Sequence, residues 1–158
     1  MCIRDSCTTV GPYAKYGAPL VAACVKTGTH CCDLTGEAQF IRHMFDAHHD
    51  AARDSGARIV NCCGFDSIPS DIGTWHLHES LIARDGKPAD EARLFVMSTS
   101  GGVSGGTIAS MINLIDEASD PEIRKILLDP YSLNPADKRT GPARRSPMGA
   151  QRDAVTGW

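Results

Sequence analysis

Residues 7–28, CTTVGPYAKYGAPLVAACVKTG, decide the fold. They open like the end of a strand, turn at Val10-Gly11-Pro12-Tyr13, and finish as a capped helix. Ala18 to Thr27 has Pro19 near its start, Gly28 just past its end, and Leu20, Val21, Cys24 and Val25 on one face, which predicts a short buried helix. A strand that leaves through a glycine-proline corner and returns as a helix is half of a β-α-β unit. The same rhythm recurs downstream, as a parallel α/β architecture requires.

HCCDLTGE, residues 30–37, supplies a brief apolar run ending in Thr35-Gly36-Glu37. A helix follows, with Phe40, Ile41, Met44, Phe45 and His48 at amphipathic spacing and a stop at Ser55-Gly56. ARIVNCCGFDSIPSDIG, residues 57–73, predicts a third strand, a polar loop, and a helix capped around Pro69 to Asp71 that turns Ile72, Trp75 and Ile82 inward. After the turn at residues 83–92, RLFVMSTSGG reads as a strand, and TIASMINLIDEA places Ile108, Met111, Ile112 and Ile115 on one helical face. A short helix runs from Asp120-Pro121 to near Asp129-Pro130. The stretch from Tyr131 on is rich in Pro, Gly and Arg and shows no periodicity.

The 158 residues, 42% hydrophobic and 22% charged, suit one or two small globular units. A net charge of -3 gives no electrostatic reason to expect nucleic acid, and the apolar runs are too short for a membrane span. Nothing resembles a signal peptide. The expected compartment is the cytoplasm, with association at a membrane surface left open by the family named below. Of the seven cysteines, Cys31-Cys32 and Cys62-Cys63 are adjacent pairs whose side chains point to opposite faces of a strand. They suit neither a disulfide framework nor a metal knuckle, and read as small buried hydrophobes in a reducing compartment. Six histidines include no H-E-x-x-H, so no metal site is expected.

The first six residues, MCIRDS, resemble the translation of a transposon end used in preparing DNA libraries, and are set apart from the fold as non-native. With no closing element in QRDAVTGW at the other end, the chain reads as an internal fragment. Its expected parts are a partial nucleotide-binding unit over residues 7–88, the start of a second domain over 89–142, and a loop or disordered end over 143–158.

TTVGPYAKYGAPLVAAC, DLTGEAQFIRHM and GFDSIPSDIG, followed by GGVSGGTIASM, together resemble the saccharopine dehydrogenase-like oxidoreductases, nearest to the branch of trans-acting enoyl reductases of lipid biosynthesis. The resemblance runs from Cys7 to about Pro142. It implies the C-terminal half of a Rossmann-like parallel sheet plus the start of a second α/β domain that carries substrate and oligomer contacts. It implies NADP as cofactor, a small-molecule or lipid-type substrate, and a homo-oligomer. The family's glycine-rich pyrophosphate turn has no counterpart, since the sequence contains no G-x-G-x-x-G. The fragment alone is therefore expected to be inactive.

In a doubly wound sheet the ligand lies across the carboxyl ends of the strands. By that rule Thr9, Val10, Gly11, Pro12 and Tyr13 leave the first strand on the cofactor side, with Gly11 allowing close backbone approach and Pro12 stiffening the exit. Thr35, Gly36 and Glu37 border the same edge, Glu37 being either a polar contact or a carboxylate favoured at the start of its own helix. Gly64, Asp66, Ser67 and Ser70, with Gly102 and Ser104, are the substrate-side candidates, Ser70 and Asp71 serving equally well as helix caps. The implied chemistry is hydride transfer between a nicotinamide and an activated double bond. Tyr13 and Tyr16 are candidate proton donors, or aromatics packed with satisfied hydroxyls, and no single catalytic acid stands out.

Two other readings compete. One is a noncatalytic Rossmann-like module that binds nucleotide or a partner. The other is a serine hydrolase, because Gly102-Val103-Ser104-Gly105-Gly106 fits a G-x-S-x-G elbow between a strand and a helix. That elbow needs a histidine after its serine, and every histidine lies at or before His78. Ser104 and Thr107 then read better as caps.

Overall fold

A computed structural model describes residues 5–96, 98 and 100–138. Three parallel strands in the order β1-β2-β3 carry the chain: β1 Asp5–Thr8, β2 His30–Asp33 and β3 Ile59–Val60. Helix α1 (Tyr13–Thr27) joins β1 to β2, and α2 (Ala38–Ser55) joins β2 to β3. Beyond β3 follow α3 (Ile68–Asp85), α4 (Gly105–Glu117) and α5 (Pro121–Leu128). This is the expected mixed α/β architecture with a partial Rossmann-like sheet. β1 takes in Asp5 and Ser6, which pair with His30 and Cys31, because a parallel ladder uses backbone groups whatever the side chains. The rest of MCIRDS and the expected loop over residues 143–158 lie outside the described residues.

Side chains alternate across the strands, so Cys31 and Ile59 face α1 and α2 while Cys32 and Val60 face away. The core sits on the covered side, where Tyr13, Val21, Val25 and Phe40 are buried and Ile41, Met44, Ala52 and Ile59 pack around them. Each such side chain contributes about 1.5–3 kcal/mol when fully buried. Glycine at position 17 is what lets the two helices close, since a Cβ there would stand 2.6 Å from Phe40 Cζ. Both helices end as predicted, on Gly28 and Gly56 in the left-handed conformation.

Four expectations change. First, α1 begins at Tyr13 rather than Ala18, and Pro19 lies inside it. The reason is remote: Glu37 supplies the acceptors for its first amides, as set out below. Second, the cysteines are not all buried. Among the described ones, Cys24 and Cys31 are, Cys7 is exposed, and Cys32, Cys62 and Cys63 are intermediate, because helices cover only one face of the sheet.

Third, Ile72, Trp75 and Ile82 of α3 do not point inward; they are 51%, 61% and 40% exposed. Ile108, Met111, Ile112 and Ile115 do share the outer face of α4, yet that face is exposed too, and α4 docks instead through Ser110 and Glu117 with Asn113 buried. Amphipathic spacing fixes which residues share a face, not what covers it. Fourth, the described residues of RLFVMSTSGG form no strand, and Leu94, Phe95 and Val96 are exposed. An isolated extended segment gains nothing without a ladder partner.

Candidate functional site at the carboxyl ends of the strands

The loops leaving β1, β2 and β3 meet the start of α4 in a cleft of about 450 Å³. Thr9, Gly11 and Tyr13 come from the first exit, Gly36 and Glu37 from the second, Gly64 and Asp66 from the third, and Ser104 from the N-cap of α4. Eight of the predicted residues thus share one wall-to-wall space. Val10, Pro12, Thr35, Ser67, Ser70 and Gly102 are not among its lining. Leu34, Phe65, Gly106, Thr107, Ser110, Met111 and Leu114 complete it. A second hollow of about 320 Å³, between α2 and β3, is lined chiefly by core residues such as Val21, Met44 and Ile59 and contains none of the predicted residues.

Glu37 organises the cleft. It is buried, and its Oε1 accepts the Tyr13 N–H at 2.8 Å while its Oε2 accepts the Ala14 N–H at 2.8 Å. Pro12, the N-cap of α1, has no side-chain donor or acceptor to offer, so a carboxylate 24 residues away caps the helix and answers its dipole. Oε1 also accepts the Ser110 hydroxyl at 2.8 Å, which fastens α4 to the exit of β1. Glu37 thus serves the next helix in space rather than its own. Thr35, almost wholly buried, fixes the approach by accepting the Glu37 N–H at 3.1 Å.

Gly11 stands at the closest point of that junction, where an added Cβ would lie 2.9 Å from Ser110 Oγ. The Gly11–Pro12 bond is cis. The neighbour that requires a residue without a Cβ is therefore α4. Gly36 differs: a Cβ there meets nothing within 4 Å and would project into open space.

Tyr13 lines the cleft, and its hydroxyl is bonded to the backbone of the first two strand exits. Its hydroxyl donates to the Thr8 carbonyl at 3.3 Å and accepts the Leu34 N–H at 3.4 Å, and burial pushes its pKa above the ordinary value. Tyr16 is 61% exposed on α1 and does not line the cleft. Ser67 takes the N-cap position of α3 without a side-chain cap bond, and Ser70 lies within the helix, donating to the Ser67 carbonyl at 2.8 Å. Asp71 lies in the first turn of α3, where its charge suits the dipole.

Ser104 is a cap, accepting the Thr107 N–H at 3.1 Å and sharing a 2.9 Å bond with the Thr107 hydroxyl. No histidine lines the cleft among the described residues. Asp33, buried under the cleft floor, accepts from the Thr35 N–H at 3.0 Å, the Cys62 N–H at 3.3 Å and Asn61 Nδ2 at 2.6 Å, tying the second and third exits together. Sequence spacing pointed to the strand ends but gave no sign of Asp33 or Ser110, whose roles come from contacts across the sheet.

No family model matches the chain, and no solved structure matches it. Curated relatives do. A Mycobacterium tuberculosis protein whose name places it with the trans-acting enoyl reductases, Rv2449c, is 48% identical over 139 residues, which is 85% of this chain and 33% of that protein. The trans-acting enoyl reductase of Mycobacterium bovis is 45% identical over 148 residues, 92% of this chain and 34% of its own. That of Mycobacterium leprae is 44% identical over 128 residues, 80% and 31% respectively. The chain spans about a third of the length of these relatives, and over most of its own length it is a homologue of the trans-acting enoyl reductases.

Proposed function

We propose that the chain forms part of an NADP-dependent, saccharopine dehydrogenase-like oxidoreductase that reduces an enoyl double bond in lipid or glycolipid biosynthesis. In this reading residues 7–88 belong to the nucleotide-binding unit and residues 89–142 open the second domain. The observation that carries it is the cleft itself: three parallel strand exits and one helix start converge where doubly wound sheets hold their ligands, in a chain homologous to named enoyl reductases.

The residues present fit one end of a nicotinamide dinucleotide. A volume of about 450 Å³ with Gly36 open to it suits the nicotinamide and its ribose, with Thr9 and Asp66 offering polar side chains at the wall. The first amides of α1 are taken by Glu37 and are not offered to a pyrophosphate. When bound, the cofactor supplies the hydride. The protein's own part is to orient the two reactants: Glu37 and Ser110 hold α4 against the β1 exit, and Leu34, Phe65, Met111 and Leu114 supply apolar wall.

The test uses the full-length protein with NADPH and a thioester-linked enoyl substrate, comparing it with Gly36→Val. A side chain at 36 starts from open space at the cleft wall, since an added Cβ meets nothing within 4 Å. The expected result is substrate-dependent NADPH oxidation that falls about tenfold or more in kcat/KM with an unchanged melting temperature. Turnover indifferent to the substitution would remove the cleft from the reaction. The 158-residue chain alone should bind NADPH weakly, and a tight, specific complex would overturn the division of the cofactor site described above.

A further inference from the structure

Function absorbs none of the thiols on the uncovered face of the sheet. Cys7 of β1 and Cys32 of β2 are direct partners in the parallel ladder, with their side chains on the same face of the sheet. Cys7 is exposed and Cys32 partly so, on the side away from α1 and α2. Adjacent strands lie about 4.7–4.9 Å apart, within the Cα separation of about 4.4–6.8 Å that a disulfide spans.

The remaining described thiols are placed otherwise. Cys31 points to the opposite face and is buried. Cys63 Sγ lies 3.5 Å from the Val60 carbonyl and 3.8 Å from that of Asn61. Cys62 lies beyond β3, its N–H held by Asp33 Oδ1 at 3.3 Å. Among the described thiols, only Cys7 and Cys32 combine direct pairing in the ladder with access from solvent.

We propose that Cys7 and Cys32 are a peroxide-sensitive dithiol that closes to an intrachain disulfide across β1 and β2. The sulfur of one cysteine, as thiolate, displaces water from hydrogen peroxide and becomes a sulfenic acid. The second sulfur then attacks it and releases a second water. Two electrons pass from the two sulfurs to the peroxide, and both thiol protons leave in the waters. The bond fixes β1 one residue before Thr8, where the exit that lines the cleft begins.

The full 158-residue chain is treated with stoichiometric hydrogen peroxide, alkylated, cleaved with trypsin and read by mass spectrometry, beside a Cys7→Ser variant. The expected product is a monomer on a non-reducing gel, lighter by two hydrogens, with residues 5–15 linked to residues 27–42 and fragmentation assigning the link to Cys32. Cys7→Ser should lose the link and accumulate oxidised Cys32. Alkylated Cys7 and Cys32 after peroxide, a link to Cys31 or Cys63, or a disulfide between two chains would each overturn the proposal.

Discussion

The Ser110 hydroxyl donates to Glu37 Oε1 at 2.8 Å across 73 residues of chain, and the same carboxylate caps α1. One side chain therefore sets the start of α1 and the seat of α4 together. Replacing Glu37 with Gln keeps the shape but puts an N–H donor against amides that need acceptors. Glu37→Gln should cost about 1–3 kcal/mol and Ser110→Ala about 1 kcal/mol in urea unfolding. Their double mutant should fall short of the sum, because both changes break one bond. Additive effects would show that the two groups act separately.

Gly17 faces the ring of Phe40 in the core between α1 and α2. In an open helix Gly→Ala stabilises by about 1 kcal/mol. Here the added methyl would stand 2.6 and 2.8 Å from ring carbons of a side chain that is 3% exposed and has nowhere to go. Gly17→Ala is expected to destabilise by about 1–3 kcal/mol, and Phe40→Leu in the same chain to recover part of the loss. A higher melting temperature for the single variant would contradict the packing.

What the residues announced and what they hid divide along physical lines. Helix ends were legible where the signal was local, as at Gly28, Gly56 and Asp120-Pro121, whose side chain caps α5. The start of α1 was hidden because its cap comes from Glu37, not from a neighbour in sequence. The strand-end rule placed Thr9, Gly11, Gly36 and Gly64 at one edge of the sheet, and they line one cleft. It gave no account of Ser110, which lies on the side of α4 away from the apolar face at Ile108, Met111 and Ile115. Periodicity cannot tell a face that is covered from one that is not.

Alkaline conditions should weaken the fold through the buried thiols. Burial, and then the nearby Cys24, push Cys31 up from 9.0 to about 12. Between those values an unfolded chain ionises this thiol while the folded chain keeps it protonated. Its stabilising contribution is complete below about pH 9 and is lost as pH rises toward 12. The raised values of Tyr13 and Cys62 act in the same direction. Urea midpoints measured from pH 8 to pH 11 should therefore fall, and less steeply in Cys31→Val. Equal slopes in both chains would assign the alkaline loss to other groups.

Cys62 adopts φ 59°, a left-handed conformation that costs an ordinary side chain about 1–2 kcal/mol. Asp33 holds it there, taking the Cys62 N–H and Asn61 Nδ2 on its carboxylate and the Cys63 N–H on its carbonyl at 2.8 Å. Cys62→Gly removes the strain but adds freedom to the unfolded chain, so stability should stay within about 1 kcal/mol of the parent. Cys62→Val, branched at Cβ, should lose about 1–3 kcal/mol. Asp33→Ala leaves the Thr35 N–H, the Cys62 N–H and Asn61 Nδ2 without their acceptor, at about 1 kcal/mol each. Hydrogen exchange gives the sharper reading: in Asp33→Ala the amides of Thr35 and Cys62 should lose protection while those in the middle of α2 keep theirs. Uniform loss across the chain would mean that Asp33 supports the whole fold rather than the two exits that shape the cleft.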